Sequence, residues 1–493
     1  MKNKITDLFL FRHRFIIGYI LIGFIFLALL CFLPSIAPQG LSSKEMLAAA
    51  NADQINFNFI QDGHVIDLPY YGIQKLCLKI FGLTLYSVKL PSIIFGAFAA
   101  FFLVLLLNRW FKSDVALIGS ALTTLSTAFL CLANFGTPSI MYIFWLAFIL
   151  WLGSKIVGNK NIQPFFVILF TSAVAFSLYT PYLCYVALII LIAGLIHPHL
   201  RASLKRLKTY QLILAIIIFI LALSPLVISV SFHLDLLKTL AFTNDFSFIN
   251  FKRNINEAFA PFFSFALAYD SVYLAPLFGL GTVALIVIGA ISSLDQLFTS
   301  RNAVTLSVTA FAIVVAGLNS DTAVIIIVPI AIMTAAAIDT MTTHWKTIFP
   351  KNPYAHVVGA IPLVAILGLM LFSGLSHYIR GYHYTPRVTK NFNSDIMLIR
   401  NELEAGDILI VENEDPNIEF YKLFEKYNDL TVTTELPEHF NSRVAVLGNT
   451  KTSDKLELSK IAVSSKSRNS DRLYIYTKAT EKEAEKEEKT GEE

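Results

Sequence analysis

The sequence predicts an all-α polytopic membrane protein of about eleven transmembrane helices, followed by a small α/β domain. Three observations predict it. The 493 residues are 55% hydrophobic and only 15% charged, with 41 Phe. The mean hydropathy is +0.62, whereas a soluble domain carries about a quarter of its residues as charges. Apolar runs of ~17–25 residues recur through the first three quarters, the length at which a helix rising ~1.5 Å per residue crosses ~30 Å of hydrocarbon. After about residue 384 those runs stop, and short strand-like and helical patterns alternate.

The expected spans fall at about 15–33, 91–108, 115–133, 138–154, 164–179, 182–197, 210–230, 272–293, 303–318, 322–338 and 356–376. The first reads as an anchor, because its apolar run exceeds a signal-peptide core and no small-x-small cleavage site follows. Residues 1–384 thus form the membrane body. Two long polar loops interrupt it, at about 34–90 and 231–271. The stretches LLKTLAF and NEAFAPFFSFALAY in the second loop are amphipathic and suit the membrane interface. Beyond the body, AGDILIVEN, SRVAVLG and DRLYIYT read as strands and NIEFYKLFEKY as a helix, which gives an α/β domain over 405–477. Residues 478–493 form a charged tail too polar to fold alone.

Lysine and arginine occupy alternate connections. One set holds Lys2, Lys4, Arg12 and Arg14, then Arg109 and Lys112, Lys155 and Lys160, Arg201 to Lys208, Arg301, Lys346 and Lys351. The short connections near 134–138, 180–181 and 319–321 hold none. The positive-inside rule therefore puts the N-terminus in the cytoplasm of a plasma membrane. An odd number of spans puts both long loops and the C-terminal domain outside. Cys31, Cys77, Cys131 and Cys184 lie in or near apolar segments without CxxC spacing and read as free thiols. The absence of a phosphate-loop motif argues against an ATP-driven pump, and nothing suggests nucleic acid as a partner.

Four stretches carry a family resemblance, GLSSKEMLAAA (40–50), HVIDLPYYGIQKLCLKIFG (64–82), LYSVKLPSIIFG (85–96) and ANFGTPSIMYIFW (133–145), and FPKNPYAH (349–356) adds to it. The chain resembles the membrane glycosyltransferases of GT-C architecture that take a sugar from a polyprenyl-phosphate carrier, among them the protein O-mannosyltransferases and the bacterial aminoarabinose transferases. Order and spacing hold over about residues 15–160. The resemblance implies transfer of a sugar from a polyprenyl-phosphate donor to an acceptor outside the cytoplasm, whether an envelope glycan, a lipid or a protein. The sequence departs from the pattern twice. An Asp-Glu pair is expected where Lys44-Glu45 stands, and an acid is expected where Ser139 stands within GTPS.

The resemblance makes Glu45 the expected catalytic residue. A carboxylate there can take the acceptor's proton and favour a transition state with oxocarbenium character. The same acid also suits a helix first turn capped by Ser42 or Ser43. The leaving lipid phosphate calls for cations, and Lys252, Arg253, Arg380 and His383 lie on the expected side. These also suit interface anchors that snorkel. His64 is a further phosphate candidate. Tyr70, Tyr71, Tyr179 and Tyr182 fit either a substrate cleft or an interfacial aromatic belt. Glu45, Asp53 and Asp62 are the candidate oxygen ligands for Mg²⁺ or another divalent ion. Two alternatives remain open: a non-catalytic relative that binds lipid phosphate, and a transporter or flippase. Spans almost free of ionisable residues speak against ion-coupled transport.

Overall fold

The computed structural model describes residues 14–158, 163–241, 247–264, 272–348, 353–413, 415–435, 442–447, 456–464 and 472–478. Lys2, Lys4, Arg12, Lys160, Asp245, Asp270, Lys351 and the tail from 479 onward lie outside the described residues. The first half of the chain forms α1 (Arg14–Ile36), α2 (Ser43–Asp53), α3 (Leu68–Phe81), α4 (Leu85–Trp110), α5 (Ser113–Thr124), α6 (Thr127–Asn134), α7 (Ile140–Gly158), α8 (Pro164–Ser177), α9 (Leu183–Ile196) and α10 (Pro198–Leu204). Then follow α11 (Thr209–Phe232), α12 (Asp235–Ala241), α13 (Phe248–Phe263), α14 (Leu280–Asp295), α15 (Ser300–Leu318), a 3₁₀ turn (Ser320–Ile326), α16 (Ile327–Ile348) and α17 (Pro353–Tyr384).

The chain is a multi-pass membrane protein. Among the described residues seven helices are long and apolar enough to cross a membrane, and counting the two bent pairs raises this to nine. The pairs are α5 with α6, bent by 62°, and α9 with α10, bent by 95°. Each of the eleven expected stretches overlaps a helix or a bent pair, although 272–293 becomes helical only at Leu280. Two of them, α8 with 14 residues and α14 with 16, are shorter than the ~20 residues a perpendicular span needs. The helix α16 is enclosed by its neighbours, while α1, α11 and α17 turn most of their apolar side chains outward, as lipid-facing helices do.

The connections gather on two faces. On one, Glu45 reaches Gly136, Asp67 reaches Tyr179, Gln61 reaches His233, Tyr182 reaches Leu240 and Asn254 reaches Gly317. This loop face therefore holds both long loops and the three short connections that lack Lys and Arg. On the other face Arg301 donates to the carbonyl of Trp110 at 3.3 Å and lies 4.5 Å from the Phe111 ring centroid.

The two loops are largely helical. Ser42 at the N-cap, Glu45 three residues on and the Ala-rich stretch that follows make α2. Pro69 opens α3 in the first turn, where its missing N–H costs nothing. α4 begins at Leu85, six residues before the expected span. In the second loop α13 turns Ala258 and Phe262 inward and packs on α15 and the 3₁₀ turn, so it is a packed element of the body.

The C-terminal part comprises α18 (Pro386–Thr389), α19 (Asp395–Glu402), β1 (Ile408–Ile410), α20 (Ile418–Tyr421), α21 (Leu423–Asn428), β2 (Thr431–Thr433), β3 (Val444–Leu447), β4 (Leu456–Val463) and β5 (Arg472–Lys478). The five strands form one sheet in the order β2-β1-β3-β5-β4. β1 pairs in parallel with β2 and β3, and β5 pairs antiparallel with β3 and β4. The domain begins earlier than expected, because α19 packs on β4 and β5. It does not sit apart from the membrane body. Leu41, Met46, Ala49, Leu78 and Val88 share a single hydrophobic core with Ile396, Ile399, Phe420, Phe424 and Ile475. Leu41 and Asn393 exchange backbone hydrogen bonds of 2.8 Å in both directions, and Asp53 accepts from Lys426 at 2.6 Å and Tyr427 at 2.9 Å.

Candidate active site

The capping geometry of α2 fixes Glu45. Its Oε2 accepts from the Ser42 N–H at 2.7 Å and the Ser42 hydroxyl at 2.9 Å, so the side chain closes back on its own helix N-terminus. Its Oε1 accepts from the Gly136 N–H at 2.8 Å and lies 3.7 Å from Lys89 Nζ. Glu45 and Lys89 are both fully buried, and Lys89 also donates to the carbonyl of Pro38 at 3.2 Å. A buried carboxylate of this kind must be paired and hydrogen-bonded to remain charged, and here each oxygen already has its donors.

Gly136 makes this arrangement possible. A Cβ there would lie 2.7 Å from the Val88 carbonyl oxygen, so only glycine lets the 135–139 turn press against α4 and aim its N–H at Glu45. The same seam is tied by the Tyr70 and Ser92 hydroxyls, 2.8 Å apart, and by Ser92 donating to the Thr137 carbonyl at 3.2 Å. The four motif stretches before residue 160 thus meet at one place.

Beside this knot a cavity of about 440 Å³ opens on the loop face. Ser42, Lys44, Thr137, Asn256, Glu257, Tyr273, Ser320 and Asp321 supply its polar groups. Leu132, Phe135, Phe262, Leu277 and Val324 are prominent in its apolar wall. Lys44 Nζ donates to both oxygens of Asp321, at 3.0 and 3.2 Å, and both side chains are more than half exposed. Arg253 lies 3.8 Å from Glu257 one turn along α13. The cavity thus combines an apolar wall with a rim of two cation–carboxylate pairs, and its volume falls within the range of small-molecule sites.

The expected site residues are not all brought together. Glu45 is buried behind Ser42 and does not line the cavity. Its neighbour Lys44 does. Lys252 and Arg253 are exposed on α13, and Arg253 reaches the rim only through Glu257. Arg380 is exposed on α17, and His64 is half-buried in the first loop; neither lines the cavity. The belt reading of the tyrosines does not hold for Tyr70, Tyr179 or Tyr182, which are all buried. Tyr70 joins Ser92, and Tyr179 donates to the Ala222 carbonyl at 2.8 Å, so their hydroxyls have partners inside the protein. Tyr71 is half-buried against Tyr70.

The proposed metal ligands do not converge. Asp53 is eight residues from Glu45 on α2, about 12 Å along the helix, and its carboxylate is engaged by Lys426 and Tyr427. Asp62 is exposed in the 56–67 turns. Among the described residues no three His, Cys, Asp or Glu side chains gather as a metal site. The two carboxylates of the cavity, Glu257 and Asp321, each face a cation.

Sequence reasoning missed Asp321, and it treated Lys44 only as a departure from a pattern. The available signal was a lone acid in the short 319–321 connection between two apolar spans. Asp67, in the first loop, carries no motif of its own that sets it apart in the sequence. It stands at the N-cap position of α3 with φ of +50°, without a side-chain capping bond, and is 6% exposed. Its burial pushes its carboxyl up to about 7.

Residues 69–228 match the family model described as dolichyl-phosphate-mannose-protein mannosyltransferase. No curated protein matches the chain in sequence. The fold is similar to that of ArnT from Cupriavidus metallidurans bound to undecaprenyl phosphate, with a TM-score of 0.58 at 11% identity over 94% of this chain and 98% of that one. The apo form of the same protein gives 0.57 at 12% identity over 93% and 98%. The archaeal oligosaccharyltransferase AglB from Archaeoglobus fulgidus, solved with an inhibitory peptide and a dolichol phosphate, scores 0.48 at 10% identity over 83% of this chain and 64% of its own. The fold shared with the Cupriavidus metallidurans protein is the GT-C-like architecture that the motif stretches predict.

Proposed function

We propose that the protein is a membrane glycosyltransferase that moves a sugar from a polyprenyl-phosphate donor to an extracytoplasmic acceptor, and that the reaction takes place in the cavity on the loop face. The observation that carries this reading is the make-up of that cavity. Its apolar wall suits an isoprenoid chain, while its rim offers an ammonium for phosphate and carboxylates for proton transfer. The fold shared with a protein solved with undecaprenyl phosphate supports the donor class. In this reading Glu45 is a positioning residue. It holds Ser42 and Gly136 in place and so sets the cavity wall on which Lys44 and Thr137 stand. No step is routed through a metal, since the carboxylates that face the cavity are paired with cations.

The test is sugar release from polyprenyl-phosphate donors by purified protein in a lipid nanodisc, with Mg²⁺ and with EDTA. Turnover is expected in both conditions. A requirement for Mg²⁺ would refute the metal-free assignment. The acid-to-lysine change at position 44 and the full occupation of Glu45 favour one second reading, a relative that binds the donor lipid without turning it over. Donor binding with no transfer to any glycan, lipid or peptide acceptor would select that reading.

A further inference from the structure

Lys44 and Asp321 are separated by 277 residues in the chain, yet they form the one ion pair in which both partners line the cavity among the described residues. Lys44 stands in the first loop next to the Glu45 knot. Asp321 stands at the start of the 3₁₀ turn, where the Asn319 side chain accepts its backbone N–H at 3.0 Å and fixes the turn. The two side chains are 61% and 58% exposed. An exposed pair is worth only a fraction of the interaction a buried one carries, so a competing anion can separate it. The apolar wall beside it gives that anion an anchor, because a lipid chain held there raises the local concentration of its own phosphate.

We propose that the Lys44–Asp321 pair is a donor-triggered latch: the phosphate of the incoming donor takes Lys44 from Asp321, and the released carboxylate becomes the base that accepts the acceptor's proton. This rests on the transferase reading above. The bond between the anomeric carbon and the phosphate oxygen breaks, and its electron pair leaves with the polyprenyl phosphate that Lys44 holds. The acceptor oxygen or nitrogen forms the new bond to that carbon while its proton passes to Asp321 and then to water. The device keeps the base neutralised until donor is bound. It also restores a carboxylate to a site whose first-loop position carries a lysine. Glu45 does not face the acceptor, since it is fully buried and does not line the cavity. Glu257 pairs within its own helix, so no ligand on Lys44 would release it.

The experiment measures binding of undecaprenyl phosphate and sugar transfer for the wild type, Asp321→Asn and Lys44→Gln in nanodiscs. Asp321→Asn removes the competitor for Lys44, so it binds the lipid phosphate about two- to five-fold more tightly while transfer falls by roughly 10²–10⁴. Lys44→Gln binds about tenfold or more weakly, having lost a charge-assisted hydrogen bond. Both side chains are exposed, so the variants retain the wild-type fold. Unchanged or weaker binding in Asp321→Asn overturns the latch, as does wild-type transfer in that variant or wild-type affinity in Lys44→Gln. If the wild type binds and transfers while both variants match it, the latch alone falls. If the wild type binds no lipid phosphate, the donor assignment falls with it.

Discussion

Glu45 and Asp321 show how surroundings divide the work of two carboxylates. Glu45 is fully buried with donors on both oxygens, and Asp321 is half in water with one exchangeable partner. Removing one member of a buried ion pair costs roughly 3–5 kcal/mol, because the other charge is left uncompensated. Glu45→Gln is therefore expected to lower the thermal unfolding temperature measurably, and pairing it with Lys89→Met is expected to recover much of the loss. Unfolding curves of the three variants in one detergent check this. A Glu45→Gln protein with wild-type stability would refute the positioning role. Asp67 gives a prediction in pH. Its native pKa of about 7 stands above the ordinary 3.8, so between those values the folded state holds a proton that the unfolded state has lost. Its contribution to stability is intact below about pH 4, declines as pH rises through 7, and reaches a deficit of about 4 kcal/mol above that. Asp67→Asn removes the charge, and asparagine tolerates the left-handed backbone. The variant is expected to unfold at a higher temperature than the wild type at pH 8, with the gap closing toward pH 4.

At the scale of elements, legibility followed the strength of the local pattern. The long apolar runs located apolar helices throughout the body, because hydrocarbon thickness constrains length directly, but they overcounted the spans: among the described residues seven helices, or nine with the bent pairs, are long enough to cross, against about eleven expected. AGDILIVEN and DRLYIYT were readable as strands because buried sheet positions want β-branched and aromatic residues. β2 offers only TVT. β4 is an edge strand, LELSKIAV, with most side chains exposed, so neither carries a burial pattern. The first loop read as a long polar interruption with a helix start marked only at Ser42–Glu45, because α2 and α3 are short and pack on the C-terminal domain, which no local window contains. That packing is testable at Asp53. Asp53→Ala removes the acceptor of Lys426 and Tyr427, a loss of about 1–2 kcal/mol at a partly exposed contact. Faster hydrogen exchange is expected in both α2 and α21, with the distant α14 and α16 unchanged. Unaltered exchange in α21 would show that the contact does not hold the domain.

For the molecule as a whole, the site was the least legible part. The family resemblance pointed to the first loop, and the loop does border the cavity. The rim, however, is completed by Asn256 and Glu257 of α13 and by Asp321 beyond α15. A pair of residues 277 positions apart leaves no periodic trace, and the sign of one partner depends on the other. The shared core between the first loop and the last domain has a further consequence, for synthesis. Leu41, Met46 and Val88 leave the ribosome early, whereas Ile396, Phe424 and Ile475, which pack against them, are made only after every membrane helix. Contacts this remote in sequence close late. The helix that carries Lys44 and Glu45 therefore waits through insertion of the entire body before its outer side is covered, and the cavity wall it supports is among the last parts of the protein to be finished.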